Sequence, residues 1–137
     1  MATIKQATVK NTRQLLDANK ADDVVMTLGV ILAQTAGLAV FADSGTVVAD
    51  LLGVCNQTIT AAEALETVSY IVPSDEDTYI FPVTNNSDAT HNGQAMVLTD
   101  ETAVNNTGTT SATGIVQQLE PYGAAADKLI IGKFLTL

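Results

Sequence analysis

Apolar positions along the chain fall in short runs separated by turn residues. Glycines stand at Gly29, Gly37, Gly45 and Gly53, eight residues apart each time. Between them lie Val30-Ile31-Leu32, Leu38-Ala39-Val40-Phe41 and Thr46-Val47-Val48. Short runs at this spacing, closed by turn residues, predict a β-sandwich or small barrel. The residues between the glycines do not match one another, so the spacing is not a sequence repeat. In the second half, Thr67 to Val72 is β-branched and aromatic and is closed by Pro73. Ser74-Asp75-Glu76-Asp77 reads as a turn and Thr78 to Phe81 as the returning strand, which together predict a hairpin. Gln94–Leu98, Gly114–Leu119 and Lys128–Leu135 read as further strands, and Gly132 inside the last one predicts a bulge or a close approach. Asn85–Gly93 and the Asn/Thr/Gly tract within Val104–Gly114 read as exposed polar loops. Helical signals are weak. Asn11–Ala18 is compatible with one or two helical turns, Ala61–Leu65 with a single turn, and Thr3–Val9 with an extended segment. The predicted fold is mainly β, a small β-barrel or β-sandwich of about seven to nine strands with an extended N-terminal arm.

Charge refines this division of the chain. The protein has 137 residues and a formal net charge of -9. Four of its six basic residues, Lys5, Lys10, Arg13 and Lys20, lie in the first twenty positions beside a single acid, Asp17. From Ala21 to Asp127 there is no Lys or Arg, and fourteen acids lie there. The chain therefore divides into a basic arm, 1–20, and an acidic β-rich domain, 21–137. An acidic body repels nucleic acid, whose binding needs a clustered basic surface, so no nucleic-acid partner is expected. The basic arm suits an acidic partner surface, or the chain's own body.

One stretch raises a membrane question. Val24 to Ala42 carries no charge over nineteen residues, close to the length that spans a bilayer. It contains Thr27, Gln34, Thr35 and two glycines, and it lacks basic residues on its C-terminal side. A buried pair of strands joined by a Gln34-Thr35-Ala36-Gly37 turn explains it more simply, so no membrane partner is expected. The residues after Met1 hold no apolar stretch of the secretory kind.

Candidate chemistry is sparse. A single cysteine, Cys55, and a single histidine, His91, exclude an intrachain disulfide and a multi-cysteine or multi-histidine metal site. Cys55 stands in an apolar setting with no basic neighbour and reads as a core thiol. His91 stands in a polar loop. Asp75-Glu76-Asp77 reads as a solvated tip, because adjacent side chains diverge and no calcium-loop spacing is present. No phosphate loop or nucleophile elbow occurs. The sequence predicts neither an enzyme, nor a cofactor, nor a metal.

The order of motifs resembles a known family. Gly53-Val54, then Val68-Ser69-Tyr70-Ile71-Val72-Pro73, an acidic turn and Tyr79-Ile80-Phe81 form its first part. Gly93-Gln94-Ala95-Met96-Val97-Leu98-Thr99-Asp100, the Asn/Thr/Gly-rich loop, Gly114-Ile115-Val116, Pro121 and Ile130-Ile131-Gly132-Lys133-Phe134-Leu135 complete it. Over roughly residues 45–137 this order is similar to the head decoration, or capsid cement, proteins of tailed bacteriophages. The motifs are strand-and-turn patterns, and the family has no shared catalytic residues to carry over. The resemblance implies a β-rich structural protein on the outer capsid surface of the virion, binding the major capsid protein and stabilising the shell. It also implies homo-oligomers, with a trimer favoured, and an arm reaching over the capsid, a role that Lys5, Lys10, Arg13 and Lys20 fit. Two other classes compete: a tail or baseplate structural subunit, and a virion-borne carbohydrate-binding module. The second would need an aromatic platform, yet the chain has three Tyr, three Phe and no Trp.

Overall fold

The structure, a computed structural model, describes residues 5–8, 15–21, 26–59, 67–74, 76–107 and 113–136, the first group by its backbone alone. Its described part is mainly β. Twelve strands run in the order β1 (Lys5–Thr8), β2 (Leu15–Asn19), β3 (Ile31–Thr35), β4 (Leu38–Phe41), β5 (Leu51–Cys55), β6 (Thr67–Ile71), β7 (Thr78–Pro82), β8 (Ala95–Met96), β9 (Leu98–Asp100), β10 (Ala103–Val104), β11 (Val116–Pro121) and β12 (Leu129–Phe134). This exceeds the expected number of strands because several are two or three residues long and too short to register as apolar runs. Three 3-10 turns, at Val48–Asp50, Ala89–His91 and Ala125–Asp127, are the only helical elements among the described residues. The helical turn expected at Ala61–Leu65 lies outside them.

Two five-stranded antiparallel sheets carry the fold, in the orders β1-β7-β12-β11-β8 and β2-β6-β5-β3-β4, with a small β10-β9 pair beside them. The larger core lies between the two sheets. Ile31, Ala33, Val54 and Ile71 from the second sheet meet Tyr79, Phe81, Met96, Val116, Ile130 and Phe134 from the first. Tyr79, Phe81 and Phe134 form its aromatic centre, with ring centroids 5.1 to 5.9 Å apart in tilted and edge-on arrangements, the geometry that ring quadrupoles prefer. Neither sheet closes into a barrel, and the arrangement is sandwich-like.

The centre of the second sheet, around the start of β3, is buried on both faces, which explains the uncharged stretch. Ile31 and Ala33 enter the inter-sheet core, while Val30 and Leu32 join Met26, Ala39, Cys55, Ile59, Val68 and Tyr70 in a second cluster on the opposite face. A strand covered on both faces reads as a continuous apolar run rather than an alternation. As expected, β3 and β4 form a hairpin, with Thr35 opposite Leu38. Ala36 at φ 52° and Gly37 at φ 79° make its two-residue turn, the left-handed pair whose twist matches that of the strands. No helix among the described residues is long and apolar enough to cross a membrane.

Three expectations are corrected. Thr67–Ile71 and Thr78–Pro82 do not pair as a hairpin: β6 pairs with β5 and β2, whereas β7 pairs with β12 and β1. The intervening residues carry the chain from one sheet to the other. The N-terminal segment, in its described parts, is not an arm standing apart from the body. Its strand β1 is an edge of the first sheet and β2 an edge of the second. Thr8 lies opposite Thr78 and Leu15 opposite Ile71, with six residues between these pairs on each strand. The pairs Thr8↔Thr78 and Leu15↔Ile71 thus share one antiparallel offset, and β1 and β2 pair with the strands that flank the crossing, β7 and β6. Backbone pairing with the β-branched run of β6 makes Leu15–Asn19 a strand, where the sequence suggested helical turns.

Candidate interaction surfaces

The edge strand β2 is the most exposed apolar element of the described chain. Its burial is shallow: Leu15 and Leu16 are 49% and 45% exposed, and only Ala18 is half-buried. It is therefore held chiefly by its backbone ladder to β6, from Leu15↔Ile71 to Asn19↔Thr67. Leu16 also lines a groove of about 310 Å³ with Leu51, Leu52, Tyr70, Val72 and Leu135. A strand at a sheet edge offers unpaired N–H and C=O groups to a partner strand, and neighbouring apolar pockets add selectivity.

Of the four basic residues singled out in the sequence, the structure describes Lys5, by its backbone, and Lys20. Lys5 lies on β1, opposite Ile80 in the ladder. Lys10 and Arg13 lie outside the described residues. Lys20 is buried, at 1% exposure. It forms a parallel bridge to Ala39, and the next amide, that of Ala21, donates to the Ala39 carbonyl at 3.0 Å. These contacts draw the end of β2 against β4 and carry Lys20 inside, off the surface where a basic contact would need it.

The residues weighed for chemistry are placed as follows. Cys55 is a core thiol, as expected. Its Sγ donates to the Gln57 carbonyl at 3.0 Å, and burial pushes its pKa up, with that hydrogen bond acting weakly the other way. His91 ends the Ala89–His91 turn and is half-buried rather than fully exposed. Asp88 caps that turn by accepting from the Thr90 amide at 2.9 Å. The Thr90 amide, then its hydroxyl, and more weakly the charge of His91 hold the Asp88 carboxyl below its ordinary range. The acidic tip is not uniformly solvated: Glu76 is exposed, Asp77 is buried at 3%, and Asp75 lies outside the described residues. No group of three or more metal-ligating side chains converges among the described residues.

Two buried amides have structural roles that the sequence did not disclose. Gln118, fully buried, donates from Nε2 to the Asp88 carbonyl at 2.8 Å and to Asn92 Oδ1 at 2.9 Å, which pins the 85–93 loop to β11. Asn106, 2% exposed, accepts from the Asn85 amide at 2.8 Å and donates to the carbonyls of Asn85 and Asn86 at 3.1 and 3.2 Å. The start of the expected exposed tract is therefore a buried bracket, and its centre, 108–112, lies outside the described residues. No protein-family model and no curated protein matches the chain.

Proposed function

We propose that the protein is a decoration protein of a tailed-phage head, a structural subunit that binds the outer surface of the assembled capsid and stabilises it. The observation that carries this reading is the N-terminal segment on the edges of both sheets. It joins a basic charge to exposed Leu15 and Leu16 on an otherwise acidic body. A protein that reinforces a shell needs a rigid body and contact surfaces rather than a reaction centre. Here the body is a two-sheet sandwich with a continuous aromatic core, and the contact element is fixed to that body by two backbone ladders. Weak contacts of this kind, repeated on a symmetric lattice and shared within an oligomer such as a trimer, add through effective concentration. Edge-strand addition to the major capsid protein supplies backbone hydrogen bonds, and Lys5, Lys10 and Arg13 supply charge.

The test is co-sedimentation of the purified protein with undecorated expanded phage heads at low and high salt. Saturable binding in a fixed ratio to the capsid subunit is the expected result. Replacing Lys5, Lys10 and Arg13 together by Gln should weaken binding and flatten its salt dependence. Charge substitution is cleaner than deletion of the segment, because removing residues 5–19 would strip both sheets of an edge partner. A protein that stays in the supernatant at every salt concentration refutes the reading.

A further inference from the structure

The first sheet has an outward face that none of the roles above uses. Along β7 and β12 burial alternates: Tyr79, Phe81, Ile130 and Phe134 point into the core. Ile80, Pro82, Leu129, Ile131 and Lys133 lie on the other side and keep part of their surface in solvent. The ladder aligns them across strands, with Ile80 opposite Ile131, Pro82 opposite Leu129 and Gln117 opposite Lys133. The result is a patch of half-exposed Ile, Leu and Pro side chains with Lys133 among them.

Its charge runs against that of the protein. The body's only cations, Lys128 and Lys133, lie just before and on β12, and Lys5 occupies the register position opposite Ile80. Among the described residues of this sheet only Glu120, at the bulged end of β11 opposite Ile131, brings an acid to the face. Asp127, beside Lys128, stands at its margin. In a chain with a net charge of -9, a cationic and apolar sheet face is the surface that an acidic partner would select.

We infer that the outward face of the first sheet, centred on Ile80, Ile131 and Lys133, docks on an acidic protein surface of the shell. The inference rests on the decoration reading and names the body surface that would seat there. Continuity supports the shell over a second copy of this chain as the occupant. The strand β1, from the segment already assigned to the shell, forms one edge of this same sheet, so face and edge can meet one surface together.

Three variants and two measurements test this. Lys133→Glu reverses the central charge, Ile131→Thr removes apolar contact while keeping a β-branched residue, and Leu28→Ser changes an exposed apolar residue remote from this sheet. Thermal unfolding checks that each folds, and the surface change Lys133→Glu carries the test alone should Ile131→Thr fail to fold. Binding to undecorated heads is expected to weaken roughly tenfold or more for the two face variants and to stay unchanged for Leu28→Ser. Saturable wild-type binding with unaltered binding by both face variants would overturn this assignment and leave the decoration reading intact. Absence of wild-type binding overturns both. Sedimentation equilibrium separates the competing occupant. If the face variants abolish self-association and still bind heads normally, the face joins copies of the chain and the shell assignment is wrong.

Discussion

Replacing Gly53 by alanine should unfold the protein at a much lower temperature than any other single methyl addition at a comparable glycine. Gly53 lies in β5 at a bulge, where Leu32 pairs with Gly53 and Ala33 with Leu51, leaving Leu52 as the extra residue. Its φ is 156°, and a Cβ there would stand 2.0 Å from the Ile71 carbonyl oxygen and 3.2 Å from Cδ of Pro73. Real Cβ contacts stay above 3.0 Å, so β5 and β6 must part by about 1 Å. That displacement takes a ladder bond from about 2.9 Å to nearly 4 Å, which is no longer a hydrogen bond. The adjacent pairs are Val54↔Ile71 and Cys55↔Tyr70. Two weakened bonds cost about 1–3 kcal/mol, and a strained backbone adds about 1–2 kcal/mol. Val54 and Ile71 also belong to the inter-sheet core, so parting the strands loosens its packing. We expect a total of about 3–5 kcal/mol, or roughly 10–15 °C in Tm for a chain of this size. The control is Gly93→Ala. It shares a positive φ, 83°, but has no atom within 4 Å of the added methyl, so only the backbone strain of about 1–2 kcal/mol remains. Far-UV circular dichroism during thermal and urea unfolding measures both. Equal losses in the two variants would show that β5 yields without disturbing β6, and would refute the steric argument.

Three further outcomes are expected. Ala36→Asn should stabilise the protein by up to about 1 kcal/mol in urea unfolding, because Asn tolerates the left-handed first position of the β3–β4 turn better than Ala, whereas Gly37→Ala should destabilise it. Asn106→Ala should cost about 2–3 kcal/mol, since it removes three hydrogen bonds and orphans the Asn85 amide; a loss below 0.5 kcal/mol, on the order of a surface change, would mean that water replaces the bracket. The Asp88 carboxyl should titrate below the ordinary aspartate range by NMR, and its midpoint should rise in Thr90→Val, which removes a hydroxyl that lowers it. The sign follows from that direction: a depressed folded pKa stabilises above the unfolded pKa, and this contribution disappears as pH falls through the folded value.

The sequence disclosed what depends on neighbours along the chain. The β3–β4 hairpin was legible because Ala36-Gly37 separates two apolar runs and an uncharged stretch with polar interruptions suits a doubly covered strand better than a membrane span. The Cys55 thiol was legible as core from its apolar flanks, and the close approach at Gly132 from a glycine inside a strand, where a Cβ would meet the Gln117 carbonyl at 2.8 Å. What failed depends on distant partners. Val72 to Asp77 has the composition of a turn, but nothing local says whether the strands on either side return to one sheet or go to two. Leu15-Leu16 has no period long enough to separate helix from strand, and its strand character comes from Thr67–Ile71, more than fifty residues away. Lys20, Asn106 and Gln118 belong to residue types usually found outside, and only their tertiary surroundings bring them in.

The same distinction bears on how the N-terminal segment could work. A free basic arm would bind through its charge and pay the ordering of every residue on contact. A segment already aligned in register along two sheets has much of that order in place, so its cost on binding is reduced in the way preorganisation predicts. Its outer edge and its exposed Leu15 and Leu16 then act as a fixed template rather than as a tether. This makes a kinetic distinction measurable. Binding by a preformed edge should leave amide exchange of Leu15–Asn19 already slowed in the free protein and slowed further on heads. An arm that folds on contact would exchange at the unprotected rate until it binds. Protection in the free protein of those β2 amides that face β6 is the result that the β2–β6 pairing requires.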